Sequence, residues 1–462
     1  MRSLLRNVFG LCVAAILAGN AAAFSLMGPF ASWQTAAIGF NQPGDVGGPM
    51  SLFEDYRITV PVLTYGYDPT FLNFFGSNGV VAVEAAMNIL NAVPAASAMS
   101  ASLAEFPLQA VGPANSTAAS LNVLDLKSAV LSTVLGQMGL ASPERWTYAL
   151  RDRVVIQNTT NYTVIQRNFD PVNWRATNIV NGVLYTYTIF DPVPTFTFAD
   201  AVETRVSGNA NNRTVASLDD RGGLGPGQFF TSLTRDDYGA LKYLLRFNNV
   251  NVETLAAGAG SVRLANTYSP YGPALGTNAN TNVAVSVARR PGIDKVAFSQ
   301  IAIDSLLGIA IRLVTNRYVD TYYHPTNFYL TNQTVERVSG LPDILFTAGD
   351  LTVVQGVPLL MSRPTSTRWV NNSALNTTGN GAGILSGPGV IPAATSNATA
   401  VIIEFSTLGP SRNNFSAAGA RFLDERSSTA NSVWGYFDTT TIYSIFPDGV
   451  TILDLERQLY GP

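Results

Sequence analysis

The side chains that handle protons or hold metals are scarce in this chain, so the inventory itself narrows the chemistry. Histidine occurs once, at His324, in a Tyr322-Tyr323-His324-Pro325 turn. A lone imidazole serves a nucleophilic relay only beside a marked serine. The sequence has no Gly-x-Ser-x-Gly elbow and no Ser-x-x-Lys pair, so His324 reads as structural. The one cysteine, Cys12, excludes an intrachain disulfide and any multi-thiolate metal site. Two acid pairs, Asp219-Asp220 and Asp236-Asp237, present carboxylates to a calcium ion, which takes about six to eight oxygens. Neither has the alternating Asp-x-Asp spacing with glycine, and both read as loop or helix-cap charges. A carboxylate hydrolase needs two acids about 5 to 10 Å apart, and the sequence points to no such pair among its 31 acids. No catalytic, cofactor-binding or metal-ligating residue is therefore assigned.

One stretch has a recognisable frame. Ser132-Thr133-Val134-Leu135-Gly136-Gln137-Met138-Gly139-Leu140 resembles the zinc-helix phrase of the metzincin proteases, His-Glu-x-x-His-x-x-Gly. Val134, Leu135, Met138 and the helix-ending Gly139 stand in matching places. The order of a strand (PVLTYGY) and then an amphipathic helix (GVVAVEAAMNIL) also resembles the start of that scaffold. Ser132 and Gly136 occupy the positions of the two histidines, and Thr133 that of the glutamate. A hydroxyl and a glycine neither hold zinc nor move its proton. The resemblance covers the first quarter of the chain and implies at most a catalytically dead, metzincin-like binding protein. The bland reading, a buried core helix, accounts for the same spacing. Met27-Gly28-Pro29, Trp33, Gly44-Asp45-Val46-Gly47-Gly48-Pro49, Leu341-Pro342-Asp343-Ile344-Leu345-Phe346 and Gly349-Asp350-Leu351 look like phrases of large exported bacterial proteins of unassigned function.

The N-terminus carries the parts of a secretory signal. Arg2 and Arg6 give a positive start, LCVAAIL over 11–17 a short apolar run, and Ala21-Ala22-Ala23 a small-residue cleavage site. The pattern predicts a signal peptide over 1–23, with Ala21 and Ala23 setting the cut and Phe24 beginning the mature chain. The apolar run falls short of the about 20 residues that span a bilayer. No later transmembrane segment is expected after cleavage. The expected location is secreted, extracellular or cell-surface, with the periplasm as an alternative.

Charged residues make up 13% of the chain against a usual quarter or so, while 47% is hydrophobic. This favours extensive buried β-structure or contact between subunits. The net charge of −3, with lysine only at 127, 242 and 295, gives no basic face for nucleic acid. Asn-x-Ser/Thr sequons occur at Asn115, Asn158, Asn161, Asn212, Asn332, Asn371, Asn376, Asn397 and Asn414. In a chain so rich in Asn, Ser and Thr they read as surface loops.

Residues 24–50 form a Gly/Pro-rich but aromatic arm. Phe24, Met27, Phe30, Trp33 and Phe40 require burial, on the arm's own domain or on a neighbouring copy as an assembly arm. A strand is expected over 57–67, with Pro61 marking an edge or bulge. Helices are expected over 79–92, capped by Ser77 or Asn78, over 124–138, from Thr234 to 248 with a Thr234/Asp237 capping box, and over 451–460. Asn181-Gly182 between 174–180 and 183–190 predicts a type I′ hairpin. Further strands are expected at 283–288, 296–303, 309–314, 318–323, 343–346, 351–354, 401–405, 433–437 and 441–445.

The expected architecture is α+β and β-dominated: an α/β N-terminal region (24–150), then a long antiparallel β-rich region (151–462), with an internal boundary near 365 considered. The leading functional expectation is a non-enzymatic extracellular structural or surface-interaction protein that self-assembles or meets another extracellular protein, without cofactor. A secreted carboxylate hydrolase acting on an extracellular polymer is the alternative. Trp146, Trp174, Trp369 and Trp434 are available as platforms for a carbohydrate-binding module but have no readable spacing.

Overall fold

The structure, a computed structural model, describes the chain apart from residues 1–21, 29, 41–47, 53–56, 59, 109–113, 158, 193–197, 209–211, 217–223, 255–286, 304–310, 324–327, 340–341, 349–365, 370–375, 379–400, 406–410, 418–419, 424–432 and 461–462. His324, Asp219, Asp220, Ala21 and the strand expected at 351–354 lie outside the described residues.

The fold is α+β and dominated by strands. Its centre is a six-stranded sheet in the order Ala297–Gln300, Val62–Tyr67, Ile344–Ala348, Val401–Phe405, Ser411–Ala417, Ala420–Leu423. The first four strands run parallel and the last two antiparallel. Val62–Tyr67 is rich in β-branched and aromatic residues and buried along nearly its whole length, as a doubly covered parallel strand requires. It pairs with strands more than 200 residues downstream, so the N-terminal segment is sewn into a sheet made largely of later chain. The parallel pairing of Val123–Asp125 with Val433–Phe437 repeats this.

A second six-stranded sheet is antiparallel throughout and centres on the hairpin of Val314–Tyr323 with Leu330–Ser339. Smaller sheets join Gly48–Met50, Ser25–Gly28 and Leu140–Ala141, and Asp200–Ser207, Val183–Phe190 and Ile179–Val180. Ala149–Ile156 and Thr159–Ile165 form a two-stranded hairpin alone.

Five helices lie among the described residues: α1 (Pro69–Asn91), α2 (Ser116–Ser120), α3 (Leu126–Gln137), α4 (Arg235–Leu245) and α5 (Ile452–Tyr460). α1 packs on Ala297–Gln300, Ile344–Ala348 and α3. It begins ten residues before the expected start. Asp68 is its cap, accepting from the Phe71 amide at 2.8 Å, and Pro69 takes the first helical position, where its missing N–H costs nothing. Ser77 and Asn78 lie inside the helix, not at its cap. Gly76 interrupts the helix with φ 56°, and a Cβ there would lie 2.2 Å from Asp448, so the kink needs glycine. Tyr65 and Tyr67 both donate to the Glu84 carboxylate at 2.8–2.9 Å, tying strand to helix.

Pro61 marks neither an edge nor a bulge. It sits just ahead of an internal strand, where its carbonyl accepts the Ala297 amide at 2.9 Å. The strand expected over 174–180 shortens to Ile179–Val180, because Trp174 has φ 58° in a turn held by Asp170. Asn181 and Gly182, at φ 47° and 77°, make the expected turn. The strand expected at 318–323 extends back to Val314, as Val314–Tyr323, while residues 311–313 of the strand expected at 309–314 are not in a strand and 309–310 lie outside the described residues. The polar Asn316 and Arg317 of Val314–Tyr323 fit the half-exposed alternation of a long strand.

The two large sheets meet at a buried carboxylate. Asp343 accepts the Thr64 amide at 2.8 Å, the Thr64 hydroxyl at 3.0 Å and Arg337 Nη1 at 3.0 Å, while Arg337 Nη2 meets its other oxygen. All three side chains are buried. Removing one partner of such a pair strands a charge in the core. Asp343→Ala should therefore lower unfolding stability by about 3–5 kcal/mol in chemical denaturation, and a loss below about 1 kcal/mol would show that the pin is dispensable.

Candidate functional site

α3 holds the stretch with the zinc-helix frame. Asp125 caps it, accepting from the Ser128 amide at 3.0 Å, and the helix ends before Gly139, whose φ is 98°. Ser132, Thr133, Gly136 and Gln137 all lie in the interior. The hydroxyls of Ser132 and Thr133 and both polar atoms of Gln137 have no hydrogen-bond partner among the described residues. The helix is thus a core element closed to substrate. Among the described residues no cluster of three His, Cys, Asp or Glu side chains is placed to hold a metal.

The arm residues pack on the chain's own core. Phe24, Met27 and Phe40 are buried, and Phe30 and Trp33 lie half-buried against the same cluster. Phe40 stacks on Trp146 at 5.5 Å and meets Trp33 edge-on at 5.2 Å. Of the residues marking the expected signal cut, Ala23 and Phe24 are buried here.

The acid pair at the start of α4 is also internal. Thr234 and Asp237 form the expected capping box. Asp237 further accepts the Val215 and Ala216 amides at 3.1 and 3.0 Å, so amides and a hydroxyl engage both of its oxygens, leaving little for a cation. Burial raises the pKa of both Asp236 and Asp237 above the usual carboxylate range. Asn115 is equally withdrawn: it caps α2 and donates to the Asp438 carbonyl at 2.8 Å. Of the described candidate tryptophans only Trp174 is exposed, at 42%. Trp146 and Trp434 are buried, and the Arg246 guanidinium covers Trp174 at 3.7 Å; the Trp369 side chain lies outside the described residues.

One accessible stretch is apolar. At the tip of the 149–165 hairpin, Val154, Val155 and Ile156 are 48–56% exposed, facing only Asn161, Thr160 and Thr159 across the ladder. Neither outer edge of this hairpin pairs with a third described strand. Its middle is tethered to the neighbouring 183–207 hairpin. Arg153 makes a two-pronged contact to Asp191 at 2.7 and 3.0 Å, and Tyr162 donates to the same carboxylate at 2.7 Å. Those two donors hold the Asp191 carboxyl below its ordinary pKa. The second hairpin exposes Tyr187, Phe190 and Val206. The tether therefore fixes two apolar hairpins side by side.

Sequence reasoning missed this surface. Val154–Ile156 has ordinary strand composition, and only the absence of any later segment to cover both faces of 149–165 would have exposed it. No family model matches the sequence, and neither a curated protein nor a solved structure does.

Asp125 gives the α3 region a pH signature. Burial pushes its carboxyl up to about 6 from 3.8, against the opposing pull of Lys127 and Ser128. A carboxyl whose folded pKa is raised favours the folded state when protonated. That contribution is complete below about pH 4 and fades as pH rises through 6. Asp125→Asn should flatten the decline in stability between those limits by roughly 3 kcal/mol. Parallel denaturation curves for both proteins at every pH would contradict it.

Proposed function

We propose that this is an exported extracellular structural or surface-interaction protein without catalytic chemistry, which associates with copies of itself through the paired 149–165 and 183–207 hairpins. The observation that carries this reading is the pair of tethered hairpins with apolar exposed residues and outer edges that pair with no other described strand. A strand edge with free N–H and C=O groups is a template for another strand, and soluble proteins ordinarily blunt such edges with lysine, proline or a cover. Here the tip carries valines and an isoleucine instead.

A second copy is the favoured partner because a hairpin edge is self-complementary: an antiparallel pair across a two-fold axis sets the same residues against each other. The low charge content supports the reading, since little repulsion opposes close approach of like chains. Export is supported by the signal pattern over 1–23. The buried positions of Asp125, Asp236 and Asp237 weigh against the hydrolase alternative.

The test is light scattering and electron microscopy of the full protein over a wide concentration range. The wild type should form ordered oligomers or polymers. A Val155→Lys/Ile156→Lys variant should weaken association at least about tenfold, because each apolar side chain buried at an interface contributes about 1.5–3 kcal/mol. Its thermal stability should hold to within about 0.5 kcal/mol, as expected for exposed positions. A wild type that stays monomeric at high concentration would contradict the proposal.

A further inference from the structure

Ala22, Ala23 and Phe24 lie inside the protein, at 3%, 0% and 1% exposure. Phe24 exchanges backbone hydrogen bonds with Phe169, donating at 3.0 Å and accepting at 2.9 Å, and its ring rests against Phe169 and Tyr243. Ala23 fills a small apolar cluster with Val180, Val183 and Tyr185.

Facing this segment is Asp236, in the first turn of α4 and 1% exposed. Its Oδ2 accepts the Asn181 amide at 2.8 Å, whereas its Oδ1 has no hydrogen-bond partner among the described residues. The Ala23 amide lies close enough to favour the charged form, while Asp237 and Glu144 bring further negative charge. Glu144 is itself paired with Arg213 at 3.4 Å. Among the described residues no basic side chain forms an ion pair with Asp236. A wholly buried carboxylate without a cation is a costly arrangement. The backbone that lies against Asp236 is that of Ala23, one residue before Phe24.

The cleavage pattern supplies a cation. We propose that the α-ammonium released on Phe24 when the leader is removed is the counter-charge of Asp236, so that the processed chain closes its fold on an ion pair the precursor cannot form. The proposal rests on the export reading above. The step is a hydrolysis by the host's signal peptidase with water as co-reactant. The Ala23–Phe24 C–N bond breaks, the water oxygen stays on Ala23 as carboxylate, and both water hydrogens end on the Phe24 nitrogen. That nitrogen keeps one hydrogen for the Phe169 carbonyl and gains two to offer Asp236. Departure of Ala22 and Ala23 removes the backbone that lies against Asp236. Because the scissile bond is buried in the fold, cleavage must precede folding, as it does for a chain cut while being translocated.

The full-length gene is expressed once with export and once in a cell-free system without signal peptidase, each with and without Asp236→Asn. N-terminal sequencing of the exported protein should begin at Phe24. Asp236→Asn should lower the melting temperature of the exported form by at least about 5 °C, since it strands a buried ammonium. The same change should leave the precursor unchanged or more stable, since there it removes an unpaired carboxylate. An exported protein that begins at Met1 overturns both this proposal and the export reading. A Phe24 start with equal shifts in both forms overturns the ion pair alone. Should the exported Asp236→Asn protein fail to fold, acylation of the wild-type α-amine near neutral pH decides. It should run at least about tenfold slower in the native than in the unfolded protein, an exposed α-amine having a pKa near 7.7–8.0. Equal rates overturn the proposal.

Discussion

The Asp343 carboxylate is the constraint on which the architecture turns. It lies at the start of Ile344–Ala348 and gathers the amide and hydroxyl of Thr64, 279 residues away in sequence, with the guanidinium of Arg337. A chain with one cysteine has no disulfide to hold such distant segments. Apolar burial favours compactness but does not choose a register. A carboxylate that must find three donors in the interior does, because any other alignment of Val62–Tyr67 takes the Thr64 amide and hydroxyl away from a buried charge that needs them. The parallel pairings on both sides of that strand then follow. The same interaction makes the fold strongly non-local: the central sheet cannot close until strands near residues 300, 345 and 400 exist.

The 149–207 segment touches the main core only through Ala149, Ile165 and Phe169 among the described residues. Its hairpins rest on a small cluster of Leu150, Ala199 and Ala201 and are steered by the contact of Arg153 and Tyr162 with Asp191. The ion pair is half-buried, with side chains 15% and 8% exposed, and ties one hairpin to the other. Its effect is geometric, fixing the two ladders relative to each other and so presenting their apolar residues as one surface. A surface of that kind needs no proton-handling group, in keeping with the internal positions of Asp125, Asp236 and Asp237 and with the closed α3 helix.

Much of the local structure was legible in the sequence. Thr234 with Asp237, Asn181-Gly182 and the strand at Val401–Phe405 are short-range signals, and each appears where its chemistry places it. The misses were of two kinds. Asp68-Pro69 is a complete helix start, but the glycine at 76 masked it by breaking the apolar period. The partners of Val62–Tyr67 were hidden because parallel pairing carries no turn signal and the pairing residues lie in distant chain. The hairpin surface was hidden for a related reason: composition shows that valines exist, whereas exposure depends on what the remaining chain fails to cover. Thr133 and Gln137, read as standing in a zinc-helix frame, proved to be interior residues of a packed helix.

The central functional claim is that the outer edges of the 149–165 hairpin are contact surfaces between copies. Amide hydrogen exchange of the full protein, followed residue by residue at low and high concentration, addresses it directly. The account predicts that outward-facing amides of Ala149–Ile156 and Thr159–Ile165 slow at least about tenfold as concentration rises, while those of Ile344–Ala348 do not change. Exchange at the hairpin that is independent of concentration, in a protein that nonetheless associates, would contradict it.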